Sequence, residues 1–159
     1  MDHTRFPMSV RSRYPEKIMY TSQAEWDGKT GGIATVSDGR TIVFDTPKMY
    51  GGNGEGVCPD EMFVSSVLGC LMNTFLDFKR KTLLEVDAFH LKGQATAEFD
   101  REGYHITGIH IEGEIVVDPD DFQFAERAIE MMKKYCHLTR SIKSCIPMEY
   151  DISIRATTG

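Results

Sequence analysis

The sequence predicts an α+β fold with the element order βββ-α-ββ-α-β, in which antiparallel sheets surround one long buried helix. Three observations predict it: several short runs alternate apolar and polar residues, an apolar segment of helical length begins at Pro59, and a second helical pattern follows Pro119. With 159 residues, 41% of them hydrophobic, the chain fits one domain over residues 1–159, with an N-terminal arm over 1–16.

The first part of the chain predicts three strands before residue 46. Residues 18–26 alternate with a period of two, and residues 33–36 and 41–44 are rich in strand-forming side chains. The dipeptide Asp38-Gly39 between the last two runs is typical of a tight hairpin turn. These runs therefore predict a small antiparallel sheet.

Residues 46–57 contain four glycines and a proline, which predicts a long loop. The spacing of these glycines lacks the third small residue of a dinucleotide fingerprint, and no Lys-Ser or Lys-Thr completes a P-loop. We therefore interpret this loop as a mobile surface segment and not as a nucleotide site.

A long helix is predicted over residues 59–80. Pro59 suits a first helical position, acidic residues follow it, and Lys79-Arg80-Lys81 suits the end of the helix. Apolar residues cover most of its circumference, which is typical of a helix surrounded by protein. Ser65, Asn73 and other polar residues interrupt the apolar segment, so it is too short and too polar to cross a membrane.

The second half predicts a hairpin, a helix and a final strand. Residues 89–99 and 104–117 alternate as two strands, and a change of apolar phase near Gly108 indicates a bulge. Asp118-Pro119 opens a helix that we expect to end near Cys136, and residues 146–154 alternate as the last strand.

Composition excludes several classes of function. A net charge of −6 disfavours nucleic acid as a partner, and no membrane partner is expected. The N-terminal residues contain no apolar run of signal-peptide length, so we expect a cytoplasmic location. The five histidines show no metal-binding spacing, and neither a metal nor a cofactor is predicted.

The four cysteines, Cys58, Cys70, Cys136 and Cys145, show no close spacing, and in a reducing compartment most should be free thiols. A cysteine inside an apolar helix is ordinarily a small buried hydrophobe. For Cys70, however, the neighbouring Gly69 leaves room beside the sulfur, and Cys136 ends the other helix. These two thiols could form a reversible disulfide if the helices pack together. We interpret Cys58 as a helix N-cap and Cys145 as a strand residue.

At this point the chain resembles the OsmC/Ohr family of osmotically induced and organic hydroperoxide resistance proteins. The resemblance spans about residues 20–155 and rests on four motifs: Ser37-Asp38-Gly39, Gly51-Gly52-Asn53-Gly54, Cys58-Pro59-Asp60-Glu61-Met62-Phe63 leading to Gly69-Cys70, and Cys136-His137-Leu138-Thr139-Arg140 followed by Ile146-Pro147-Met148-Glu149-Tyr150.

The resemblance implies a cysteine-based peroxidase of oxidative stress defence, which reduces organic hydroperoxides to alcohols and could also accept hydrogen peroxide as a substrate. Cys70 would be the peroxidatic cysteine and Cys136 the resolving one. Asp60 stands where the family has a Glu and would orient a cation. The family's activating Arg is expected in the first turn, where this sequence has none; Lys29 or another cation could supply the charge, but Lys29 lacks the planar fork of a guanidinium. His137 replaces a Pro.

The resemblance also implies an intertwined homodimer and a dithiol reductant, of the kind carried by lipoylated proteins. The residues themselves argue for a second copy, because ten residues of helix rise about 15 Å and hold Asp60 away from its own Cys70. Four residues could form an apolar wall that favours organic hydroperoxides: Phe63, Met72, Met131 and Tyr135. A different hypothesis remains open, in which the fold binds a small apolar ligand and the cysteines only pack.

Overall fold

The computed structural model describes residues 15–158. Most of the predicted arm over residues 1–16 lies outside the described residues. The chain divides between Cys58 and Pro59 into two compact units. The assignment of one domain to residues 1–159 stays a prediction.

The first unit contains a three-stranded antiparallel sheet in the order β1-β2-β3. Its strands are β1 (Ser22–Trp26), β2 (Gly31–Val36) and β3 (Thr41–Asp45). The first strand begins at Ser22 and not at residue 18, and a short 3-10 helix, Lys48–Tyr50, lies in the glycine-rich loop. Within residues 15–58, the buried positions are Gly31, Gly32 and Asp45. The large apolar side chains among residues 15–58 are therefore at least partly exposed.

The second unit combines three helices with a second three-stranded sheet in the order β4-β5-β6. Its elements are α1 (Pro59–Thr82), β4 (Ala88–Phe99), β5 (Tyr104–Val117), α2 (Phe122–Tyr135), α3 (His137–Ile142) and β6 (Met148–Ala156). A 3-10 turn, Pro119–Asp121, precedes α2, and the Asp118 side chain accepts a hydrogen bond from the Asp120 amide at 3.0 Å. Pro59 is the first residue of α1, as the sequence predicts.

The pairing of β6 corrects one part of the predicted architecture. The sequence predicts antiparallel sheets, but β6 runs parallel to β5. Parallel neighbours need a long crossover connection, and the segment containing α2 and α3 supplies it. The predicted bulge is confirmed, because the register of β4 and β5 shifts between Thr96 and Ala97, opposite Gly108.

A second correction concerns the chain after Cys136. The predicted end of the helix near Cys136 is confirmed, because the backbone of Cys136 has φ −58° and ψ 124°, outside the helical region. The sequence does not predict α3, which starts as a separate helix at His137. Cys145 lies in an exposed turn before β6 and is not a strand residue. Cys136 therefore lies at the junction of two helices, whereas Cys145 lies at the surface.

The core of the second unit lies between α1, the sheet and α2. The helix α1 contributes Val67, Leu71 and Phe75, which are fully buried and spaced four residues apart on one face. They pack with buried residues of β5 and α2, namely Ile109, Ile111, Ile115, Val117, Ala125, Ala128, Ile129 and Met132. The remaining apolar residues of α1 are only half-buried or exposed in the single chain.

Candidate active site

The cysteine pair is formed by two helical segments of the second unit. Cys70 lies in the middle of α1, and Cys136 is the single residue between α2 and α3, both of which pack against α1. None of the four cysteines forms a disulfide. The Cys70 thiol lies close enough to Cys136 to raise the pKa of the Cys136 thiol. The structure thus places together the two cysteines that the sequence singles out.

The two thiols differ in burial. Cys136 is 0% exposed, whereas Cys70 is only partly buried. Burial is the main cause that raises the pKa of Cys136, because a thiolate loses its hydration there; the neighbouring Cys70 thiol adds to the effect. Cys136 is therefore a protonated thiol at neutral pH.

Thr139 and Tyr150 complete the surroundings of Cys136. Thr139 is 2% exposed, and its hydroxyl donates to the Cys136 carbonyl oxygen at 3.3 Å. The amide and the hydroxyl of Thr139 both lower the pKa of Cys136, in opposition to burial. Burial raises the pKa of Tyr150; the Thr139 hydroxyl opposes this rise, and Cys136 adds to it. The ammonium of Lys133 lies 5.1 Å from the centre of the Tyr150 ring.

The sequence by itself assigns no role to Thr139 or Tyr150. Thr139 occurs in the motif that follows Cys136, and Tyr150 occurs among the alternating residues of the last strand. Neither position differs by sequence pattern from an ordinary helical or strand residue. Only the tertiary arrangement shows that both lie beside the buried thiol.

The other predicted site residues lie elsewhere. Asp60 is exposed in the first turn of α1, so about 15 Å of helical rise separates it from Cys70 of the same chain. Lys29 belongs to the first unit, where its ammonium is 4.0 Å from a carboxylate oxygen of Glu55. Both side chains of this ion pair are largely exposed, so it contributes little to stability.

Asp45 anchors the glycine-rich loop within the first unit. It is 3% exposed, and its carboxylate accepts hydrogen bonds from the Thr30 hydroxyl at 2.7 Å, the Thr46 amide at 2.7 Å and the Glu55 amide at 2.8 Å. These donors, with the Glu55 amide first, hold the pKa of Asp45 below its usual value. One buried carboxylate thus ties the turn that carries Lys29 to the loop that carries Glu55.

The four residues of the predicted apolar wall lie on α1 and α2. Phe63 and Met72 are half-buried and pack against the core, and the ring of Tyr135 lies 5.9 Å from that of Phe78. Met131 is half-buried. Among residues 15–158, no cluster of His, Cys, Asp and Glu could hold a metal ion, and no helix there is long and apolar enough to span a membrane.

Comparison with known proteins places this architecture in a family. A family model described as OsmC-like protein matches residues 52–151, which include both cysteines of the pair. The chain belongs to the OsmC-like protein family. It is similar to the uncharacterized protein YmaD of Bacillus subtilis, with 21% identity over 138 residues, which cover 84% of this chain and 92% of YmaD.

Solved structures of the OsmC-like family share the fold. An OsmC like protein from Mycoplasma pneumoniae aligns with a TM-score of 0.75 at 15% identity, covering 89% of this chain and 99% of that one. An organic hydroperoxide resistance protein OsmC from Legionella pneumophila aligns with a TM-score of 0.70 at 14% identity, covering 86% and 97% of the two chains. At this identity the likeness shows the fold alone.

Proposed function

We propose that this OsmC-like protein is a thiol-dependent peroxidase that reduces organic hydroperoxides to alcohols in oxidative stress defence. The observation that carries the proposal is the pair of adjacent free thiols, Cys70 and Cys136, of which one is partly exposed and the other fully buried. The name of the Legionella pneumophila neighbour, an organic hydroperoxide resistance protein, supports the choice of substrate.

In the first step the Cys70 thiolate attacks the terminal oxygen of the hydroperoxide. The O–O bond breaks, the alkoxide takes a proton and leaves as an alcohol, and Cys70 becomes a sulfenic acid. In the second step the Cys136 sulfur attacks the Cys70 sulfur, a disulfide forms and water leaves. An external dithiol of the lipoyl type then reduces the disulfide and returns both thiols.

The difference in burial supports this order of roles. The nucleophile must meet a dissolved hydroperoxide, and Cys70 is the partly exposed member of the pair. Cys136 is enclosed, and its raised pKa keeps it protonated until a sulfenic acid forms beside it. A buried protonated thiol is a poor first nucleophile and a suitable second one.

We extend the proposal to a homodimer in which Asp60 serves Cys70 of a second copy, because one straight helix separates Asp60 from its own Cys70. The Asp60 carboxylate would orient a cation near the reacting thiolate, and Lys29 is the candidate cation. The polypeptide supplies all the groups that the reaction needs, so no cofactor is proposed. We place this reaction in the cytoplasm, where reduced thiols are maintained.

Two features support the second copy. Gly69 lies inside α1, where glycine costs up to about 1 kcal/mol relative to alanine. Apart from its two chain neighbours and the adjoining helix backbone, a Cβ added there would meet no described atom within 4 Å. Within residues 15–58, the described part of the first unit, no large apolar side chain is buried, and Trp26 is 75% exposed. A small sheet without a covered apolar face is not stable by itself in water. A partner chain that packs on these surfaces accounts for both features.

A thiol titration tests the peroxidase proposal. One equivalent of cumene hydroperoxide should reduce the titratable thiols of the wild type from four to two per chain. Cys70→Ser should consume no hydroperoxide, because an alcohol is not ionised at neutral pH. Cys58→Ser and Cys145→Ser serve as matched controls and should turn over normally.

Two results would contradict the proposal. Unchanged thiols in the wild type would favour an apolar ligand-binding module, in which the cysteines only pack. Hydroperoxide consumption by Cys70→Ser at the wild-type rate would show that another group is the nucleophile.

A further inference from the structure

Thr139 lies where it can act on the resolving sulfur. It is the third residue of α3, Cys136 is the residue before that helix, and both side chains are buried. The hydroxyl of Thr139 lies 3.3 Å from the Cys136 carbonyl oxygen, which is long for an O–H···O hydrogen bond. The hydroxyl proton is therefore weakly engaged by that carbonyl, and the same hydroxyl lies near enough to the Cys136 sulfur to lower the pKa of the thiol.

We propose that the Thr139 hydroxyl donates a hydrogen bond to the Cys136 sulfur while that sulfur attacks the Cys70 sulfenic acid. The inference rests on the proposed peroxidase function and adds a residue to its second step. Thr139 would act only in disulfide closure and not in the attack on hydroperoxide.

Attack of the Cys136 sulfur on the Cys70 sulfenic acid is the step that needs a hydrogen-bond donor. As the bond between the two sulfurs forms, the S–O bond of the Cys70 sulfenic acid breaks. The proton of the Cys136 thiol leaves with the departing hydroxyl group as water, so no additional reactant is consumed. Negative charge that develops on the buried Cys136 sulfur is poorly hydrated, and a fixed hydroxyl dipole can stabilise it.

Among the groups around Cys136, Thr139 is the uncharged one that can donate a hydrogen bond to the sulfur. Facing Cys136, α1 contributes the Cys70 thiol and β6 contributes the Tyr150 hydroxyl, which donates to the Met148 sulfur at 3.7 Å. From α2, the Lys133 ammonium lies over the ring of Tyr150. The amide and hydroxyl of Thr139 are the groups that favour the Cys136 thiolate, whereas burial and Cys70 oppose it. Replacing the hydroxyl leaves the amide in place, so the hydroxyl can be tested separately.

The test compares Thr139→Val with Thr139→Ser in rapid-mixing experiments. Dimedone trapping measures formation of the Cys70 sulfenic acid, and intact-mass spectrometry after an acid quench measures disulfide closure. In Thr139→Val we expect sulfenic acid at the wild-type rate but closure about 10- to 100-fold slower at neutral pH, because a hydrogen bond to a charged group is lost. The pH profile of closure should shift upward, and Thr139→Ser should restore both the rate and the profile.

Thr74→Val is the matched control. The Thr74 hydroxyl donates to the Cys70 carbonyl oxygen at 2.8 Å, so its loss removes a comparable group that is bonded to backbone. We expect closure at the wild-type rate in this variant. Closure at the wild-type rate and pH profile in Thr139→Val would overturn the inference. Equal slowing in Thr139→Ser and Thr139→Val would also overturn it, since the hydroxyl would then have no effect.

Diamide separates failure of this inference from failure of the peroxidase proposal. Diamide accepts the Cys70 thiolate directly, and Cys136 then displaces the adduct to form the same disulfide. A wild type that forms the disulfide with diamide but not with hydroperoxide would refute the peroxidase proposal. The rates of disulfide formation in the Thr139 variants would then be compared with diamide as the oxidant. A pair that closes with neither oxidant would overturn both proposals.

Discussion

Replacement of Cys136 by serine separates the formation of a sulfenic acid from its resolution. The change removes one sulfur from a fully buried site whose polar neighbours, Thr139 and Tyr150, can bond a serine hydroxyl. We expect a loss of stability of about 1 kcal/mol, which leaves a protein of ordinary stability folded. The Cys70 thiol and its access to solvent stay unchanged, so the first step should continue.

The magnitude of the expected result follows from the number of thiols. The wild type has four thiols, none of them in a disulfide, and should lose two of them to one equivalent of hydroperoxide. Cys136→Ser has one thiol fewer and should lose one, so both proteins end with two titratable thiols. The final thiol counts are therefore equal although the losses differ, and mass spectrometry identifies the oxidised product directly.

Intact-mass spectrometry should show that the wild type loses two hydrogens, whereas Cys136→Ser gains one oxygen per chain. With excess hydroperoxide the variant should gain further oxygens as Cys70 becomes a sulfinic and then a sulfonic acid. Cys145→Ser is the control, because Cys145 is exposed in a turn and should leave the loss of two hydrogens intact. A wild type that gains oxygen and never loses two hydrogens would show that Cys136 does not resolve Cys70.

Three further predictions concern assembly and stability. The wild type should sediment as a dimer at micromolar concentration, and Gly69→Leu should weaken that dimer. Sedimentation of the wild type and of Gly69→Leu as compact monomers would refute the proposed interface. Because the pKa of Asp45 is lowered in the folded state, its carboxylate stabilises the fold above about pH 4, and this contribution is lost as the pH falls through the lowered value. Asp45→Asn should therefore reduce the unfolding midpoint in urea at pH 7 and differ less from the wild type near pH 3; an equal difference at both values would contradict the role of the charge. Gly93→Ala should destabilise by about 1–3 kcal/mol in urea unfolding, because the added Cβ would lie 2.8 Å from Val64 Cγ1 and 3.1 Å from Leu68 Cδ2, and an unchanged midpoint would show that α1 can move away.

Local chemistry in the sequence was sufficient to predict most elements of this protein. Pro59 with the acidic residues after it marked the start of α1, and the phase change near Gly108 marked a bulge. Asp118-Pro119 marked the start of the second helical segment, whose first turn is a 3-10 helix ahead of α2. Each of these features depends on residues that are close in sequence, through caps, turns and side-chain periodicity. It can therefore be predicted without the tertiary structure. The two cysteines on separate helices also suggested a pair before any contact was known.

Tertiary structure decided the pairings and environments that depend on distant residues. The parallel alignment of β6 with β5 joins segments that are far apart in sequence, and period-two alternation is the same for either direction. The backbone at Cys136 leaves the helical region although no proline or glycine marks it. Burial of Cys136 beside Thr139 and Tyr150 arises only when α1, α3 and β6 pack together, because hydration is lost through the combined exclusion of water by all three elements.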